Sequence, residues 1–195
     1  YQALKLRRQR AILRSEQSKL EQMAYYDLLT TLPNRALLTD RLEQAMALCR
    51  RSKKKLVLVF LDLDGFKLVN DTHGHDVGDQ LLIEVANRIQ LSLRETDTLA
   101  RIGGDEFVLV LSDLVTTSSC YKVLERILSA IAEPFVISEL TINVSASMGV
   151  VCYPDIDDAA DHLMRHADQA MYQAKRMGKN RYAVFTDRED SETAA

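Results

Sequence analysis

The stretch "DTLARIGGDEFVLVL", Asp97 to Leu111, decides the reading of the fold. Two strand-forming apolar runs, "TLARI" and "EFVLVL", flank Gly103 and Gly104, and paired glycines supply the positive φ that a tight hairpin turn demands. The tip also carries Asp105 and Glu106. Strands usually avoid glycine and carboxylates alike, so the spacing predicts a hairpin whose tip serves a purpose other than folding.

Upstream, "KLVLVFLDLDGF" is continuously apolar from Leu56 and stops at Asp62 and Asp64. It reads as a buried strand that ends in carboxylates. Before it, Pro33 and Asn34 in "DLLTTLPNR" punctuate the chain. A helix is predicted from there to about Arg51, with Leu37, Leu38, Leu42, Ala45, Met46 and Cys49 on one face. The first two dozen residues contain no Gly or Pro and set Leu6, Leu13 and Leu20 seven apart, half a heptad seam. They predict a helix, read as the end of a longer signalling helix that arrives from an upstream domain.

Downstream of the first strand, "NDTHGHDVGD" reads as a loop and Val77 to Leu93 as an amphipathic helix. Beyond the hairpin come a helix from Leu114 to Ala132 closed by Pro134, and a second strand pair in "FVISELTINVSASMGVV" turning near Ser138 and Glu139. A last helix from Ala159 to Met177 ends in Gly178 as its C′ residue, followed by the short strand "RYAVF". Hairpins at two places with helices elsewhere predict an α+β domain, a central, mainly antiparallel sheet flanked by helices. This domain is expected over residues 25–187, after a helical extension at 1–24 and before a disordered tail at 188–195.

The totals fit one well-cored domain with an appendage: 195 residues, 47% hydrophobic and 27% charged. No window reaches the roughly 18 uninterrupted apolar residues of a membrane span, and no contact with a membrane is expected of this stretch. Cys49, Cys120 and Cys152 are odd in number and widely spaced, which argues against a disulfide framework and for the cytosol, as the soluble part of a larger and even membrane-anchored sensor. A net charge of −3 argues against a protein that coats nucleic acid. Any anionic ligand must be held by local positive charge or by metal.

If the two strands are neighbours, the acids Asp62 and Asp64 meet Asp105 and Glu106. Carboxylates packed together repel one another and raise their own pKa values unless a cation sits among them. Hard oxygen donors suit Mg²⁺, which completes its shell with water and substrate phosphates. Gly103 and Gly104 would let a large ligand approach closely, while Asp105 and Glu106 hold metal and handle a proton. Gly65, Phe66 and Lys67 offer successive backbone N–H groups able to cradle an anion. Lys175, Lys179 and Arg181 surround a helix C-terminus, where they either meet phosphates or complement the helix dipole. Asn70 and Asp79 carry groups that could read a purine edge. His73 and His75 lack further ligands at metal spacing and are assigned a structural or capping role. Arg94 and Asp97 form an RxxD pattern that chance alone produces several times in a chain this charged.

Five segments in order, "DLLTTLPNR", "LDLDGFKLVNDTHGHDVGDQLL", "RIGGDEF", "SASMGV" and "ADQAMYQAKRMGKNR", resemble the GGDEF family of diguanylate cyclases from about Asp27 to Phe185. One departure is Thr31, where the family often has glycine, at a structural turn. The resemblance implies a fold similar to the palm of nucleotide polymerases and class III adenylyl cyclases. It implies condensation of two GTP into cyclic di-GMP with release of two pyrophosphates, dependent on Mg²⁺ or, in its place, Mn²⁺. By the same resemblance, Asp62, Asp105 and the Leu63 carbonyl would bind metal, Glu106 would bind a second ion or assist proton removal, and Asn70 and Asp79 would bind guanine. Lys175, Lys179 and the Gly65–Lys67 backbone would hold the triphosphate. Arg94 and Asp97, separated from Gly103 by the five residues 98–102, would form an inhibitory site for the product. Catalysis would need a homodimer, each half bringing one GTP.

Overall fold

The computed structural model describes residues 22–186 together with Glu16, Lys19 and Leu20. Most of the extension expected over 1–24, and the tail at 188–195, lie outside the described residues. The described positions up to Tyr25 are helical.

Helix α1, Arg35–Ser52, begins where expected because Asn34 caps it, accepting hydrogen bonds from the Ala36 and Leu37 amides. Strand β1, Lys55–Asp64, follows. Two helices then fill the expected loop: α2, Phe66–His73, and α3, His75–Gln90. The polar "NDTHGHDVGD" was misread because its residues form helix ends, where Asp, Asn, Gly and His are common, and Gly74 alone breaks the run. His73 and His75 are exposed on either side of Gly74, where no side-chain cap bond is made, so the capping role is not seen.

Strand β2, Thr98–Gly103, and strand β3, Glu106–Leu114, form the predicted hairpin. Because β3 runs to Leu114, helix α4 starts only at Ser118 and continues to Ala132. The next segment holds three strands rather than two. β4, Phe135–Ile137, and β5, Leu140–Ile142, make a small separate hairpin, and β6, Ser145–Tyr153, joins the main sheet. Ser138 and Glu139 turn that small hairpin with φ of 46° and 68°, as the turn position predicted. Helix α5, Ala160–Arg176, and strand β7, Arg181–Val184, complete the chain.

The main sheet has the order β2-β3-β1-β6-β7, antiparallel throughout except for the parallel pair β6–β7. Strand β1 is central and covered on both faces, which explains why it reads as an unbroken apolar run. Its odd positions Val57, Val59 and Leu61 pack with Leu82, Val85 and Ile89 of α3 and Leu124, Ile127 and Ile131 of α4. Its even positions Leu56, Leu58 and Phe60 pack with Leu38, Leu42 and Met46 of α1 and Leu163, Ala167 and Met171 of α5. Each such side chain stabilises the fold by about 1.5–3 kcal/mol relative to exposure.

Two residues lock the layers. A Cβ on Gly149 of β6 would meet the Ala167 carbonyl oxygen at 1.9 Å and the Met171 amide at 2.2 Å, so α5 lies directly on the strand backbone. Arg88 of α3 donates to the carbonyls of Ala130, Glu133 and Pro134 and lies 3.5 Å above the Phe135 ring, closing the C-terminus of α4.

Candidate active site

The two-residue period of a strand decides where the acids of β1 point. Asp62 and Asp64 continue the face of Leu58 and Phe60, toward α1 and α5. On β3, Glu106 continues the face of Val108 and Val110 toward the same helices. The ladder register pairs Asp62 with Glu106 directly across the strands. Asp105 stands next to that pair, its carbonyl facing the Leu63 amide at 3.4 Å. The acids of the two strand ends therefore meet at one edge of the sheet.

Their protonation reflects burial first and crowding second. Burial raises the pKa of Asp62 above the usual carboxylate value, and Asp105 and Asp64 push it further, while a hydrogen bond from Lys175 pulls it back. Glu106 is raised by burial first and then by the charges of Asp62, Asp168 and Asp105, with Arg35 opposing. Lys175 Nζ lies 2.7 Å from Asp62 Oδ1. Among the described residues, no group of three or more His, Cys, Asp or Glu side chains is arranged to hold a metal ion by itself.

Asp64 has a different task. Its Oδ1 accepts from the Ser147 hydroxyl at 2.8 Å, and its Oδ2 accepts from the Ser145 hydroxyl at 2.8 Å and the Asn180 amide at 3.2 Å. This buried carboxylate ties β1 to β6 and holds the turn after α5. In that turn Lys179 and Asn180 adopt left-handed φ of 63° and 46°. Lys179 is thus carried on a segment anchored by Asp64, and Lys175 on the last turn of α5.

Gly65 starts α2 with φ of 88°, which leaves the amides of Phe66 and Lys67 in the unpaired first turn of a helix. Lys67 is exposed. Asn70 sits on α2 and Asp79 on the facing start of α3. Asn70 Oδ1 is buried with no hydrogen-bond partner, whereas Asp79 is exposed. Arg94 and Asp97 lie at the opposite end of β2 from the glycines. The Arg94 amide donates to Asp97 Oδ2 at 2.9 Å, and the pair borders a depression of about 300 Å³ with Arg41 and Gln90.

Arg101 was not singled out in the sequence, yet it fixes the hairpin tip. Its Nε and Nη2 donate to the Gly104 carbonyl at 2.9 and 2.8 Å, and its Nη1 donates to both oxygens of Asp27 at 2.9 and 3.0 Å. Burial would raise Asp27, but hydrogen bonds from Thr30 and Arg101 prevail and hold its carboxyl below the usual range. The Arg101 amide also donates to the Pro33 carbonyl. The segment "DLLTTLPNR" is thereby tied to the glycine turn. The signal available in the sequence was an arginine two residues before Gly103 together with an unexplained Asp27.

Gly103 and Gly104 adopt φ of 149° and 49°, and a Cβ on either would meet nothing within 4 Å. The tip is open on its outer side. On the inner side, Glu106 borders a cleft of about 490 Å³ between α1 and α5, with Arg35, Phe60, Met164 and Asp168. None of the residues expected to hold guanine or phosphate lines that cleft.

Comparison with known proteins places these features in context. A family model for "Diguanylate cyclase, GGDEF domain" matches residues 24–181. The bifunctional diguanylate cyclase/cyclic di-GMP phosphodiesterase MucR of Pseudomonas aeruginosa is 46% identical over 167 residues, covering 86% of this chain and 24% of MucR. The solved GGDEF domain of TpbB from the same organism superposes with a TM-score of 0.81 at 36% identity, covering 83% of this chain and 95% of that one. The coiled coil and GGDEF domain of DgcB from Caulobacter crescentus, solved in complex with c-di-GMP, gives a TM-score of 0.84 at 27% identity, covering 94% and 97%. The chain spans less than half the length of the curated relatives it matches, 24% of MucR and 41% of TpbB.

Proposed function

The chain belongs to the GGDEF domain family of diguanylate cyclases, and from that premise we propose that it condenses two GTP molecules into cyclic di-GMP with release of two pyrophosphates. The observation that carries this reading is the register of β1 and β3, which sets Asp62 opposite Glu106 beside Asp105. The pKa values of Asp62 and Glu106 are raised by burial first and by the neighbouring acids second, and a divalent cation among these hard oxygen donors would offset both. Asp62, Asp105, Glu106 and the Leu63 carbonyl would hold Mg²⁺, or Mn²⁺ in its place. When bound, that ion supplies Lewis-acid charge for the attacking ribose oxygen and the departing pyrophosphate.

The chain's own groups do the positioning. Lys175 and Lys179 neutralise the triphosphate, and the amides of the N-cap Gly65 and of Phe66 and Lys67 in the first turn of α2 donate to it. Asn70 and Asp79 hydrogen-bond the guanine edge, with the exposed Asp79 carboxylate accepting from N–H donors that adenine does not present in the same pattern. The open side of Gly103 and Gly104 admits the nucleotide against the backbone. Glu106, whose proton is held more tightly than in an ordinary carboxyl, assists removal of the 3′-hydroxyl proton once the site is neutralised.

A single domain carries one such set of residues. Two copies must therefore meet about a two-fold axis so that each 3′-oxygen faces the other's α-phosphorus. The helical extension at residues 1–24 would set the distance between the copies. Arg94 and Asp97, remote from the acids, would bind the product and slow turnover. No described helix is long and apolar enough to cross a membrane, and a reaction that draws on GTP would run in the cytoplasm.

The test is product formation from GTP and Mg²⁺ as protein concentration rises. The expected result is cyclic di-GMP with a specific activity that climbs with concentration. GTP binding by calorimetry without product at any concentration would overturn the reading in favour of a nucleotide-sensing module. Equal product from ATP would point to a different nucleotidyl cyclase.

A further inference from the structure

Helix α3 carries a glycine at Gly78, within its first turns and buried, although glycine is the poorest helix former after proline. Packing explains its presence. A Cβ there would lie 1.9 Å from Asn70 Oδ1, 3.0 Å from Asn70 Cγ and 3.3 Å from Phe66 Cζ. The Asn70 carboxamide thus occupies the space that any other residue at 78 would fill. Its Oδ1 is buried and accepts no hydrogen bond from the protein. Packing against the bare Gly78 backbone, rather than a hydrogen bond within the protein, therefore holds this end of the carboxamide.

Resting on the assignment of Asn70 to guanine, we propose that Gly78 is a positioning residue for base selection, its missing Cβ providing the seat that holds the Asn70 carboxamide in place. The carboxamide held this way is the group assigned to the guanine edge, whose pattern of donors and acceptors adenine does not share. Seating the carboxamide before the base arrives spares the rotamer entropy of ordering it on binding. The obstruction created by Gly78→Ala is with the far end of a side chain, so the helix keeps its path and the carboxamide is what yields. Alanine also favours the helix. The variant therefore separates fold from recognition.

The experiment compares wild type, Gly78→Ala, Asn70→Ala and the double variant by steady-state kinetics with GTP and by thermal melting. Gly78→Ala and Asn70→Ala are each expected to raise KM about 10-fold with kcat little changed, the mark of a lost contact made equally in ground and transition states. The double variant should be no worse than Asn70→Ala alone, and Gly78→Ala should melt no lower than wild type. If Gly78→Ala leaves KM unchanged, or multiplies the KM of Asn70→Ala by its own full factor, the seat is overturned while the guanine contact stands. If Asn70→Ala itself handles GTP as wild type does, the base assignment fails and the seat falls with it.

Discussion

Asp62 faces Glu106 directly across the β1–β3 ladder, and both side chains project to the face covered by α1 and α5. Two acids in this relation hold charge at the expense of the fold. Glu106 has its pKa raised by burial and by the charges of Asp62, Asp168 and Asp105. A carboxyl whose folded pKa exceeds its unfolded one contributes stability that is full below the unfolded value and lost as pH rises through the folded value.

Glu106→Gln should therefore raise Tm at pH 7 by a few degrees while removing turnover. The gain should vanish below about pH 4, where the unfolded carboxyl is protonated too. Scanning calorimetry of the two proteins at both pH values checks this. An equal Tm difference at both would show that the charge is not its source.

Lys175 is the ammonium that meets Asp62, at 2.7 Å and about one-third exposed. Lys175→Met should push the Asp62 pKa further up and raise KM for GTP by about 10-fold or more through loss of a charge-assisted contact. Arg176→Met, exposed on the same helical turn, should leave KM unchanged. Kinetics on the two variants side by side decide it.

Arg101 joins the hairpin tip to Asp27 through a partly buried, multiply bonded guanidinium. Arg101→Ala should cost about 2–3 kcal/mol in urea unfolding, below the full value for a deeply buried pair because both partners keep some solvent contact. Arg101→Lys should restore little of it, since an ammonium cannot reach the Gly104 carbonyl and Asp27 together. Turnover should fall in both variants as the tip loosens.

Gly149→Ala should be among the most damaging changes in the sheet. Its Cβ would collide with the backbone of α5 at Ala167 and Met171, which cannot rotate away as a side chain could. A loss of about 3 kcal/mol is expected, read as a lower urea midpoint.

Much of this was legible in the sequence for identifiable reasons. The unbroken apolar run of β1 announced a strand covered on both faces, and the glycines of the hairpin announced its turn. The acids at both strand ends predicted their own meeting. What escaped was whatever depends on three-dimensional approach. Gly78 and Gly149 are unremarkable in the sequence, because the atoms that forbid a Cβ come from Asn70 and from α5. Asp64 read as a member of the acidic cluster, but its oxygens are taken by Ser145, Ser147 and the Asn180 amide. The helical character of "NDTHGHDVGD" was hidden because capping residues and loop residues are the same types.

Whether the acids of the two strands act as one centre is tested most directly by measuring cyclic di-GMP formed by wild type, Asp62→Asn, Glu106→Gln and the double variant, all verified as folded. Each single variant should lose at least about 1,000-fold in turnover and the double variant should be no slower, since groups that work as a unit are not additive. Substantial turnover in either single variant, or losses that multiply in the double one, would contradict the account.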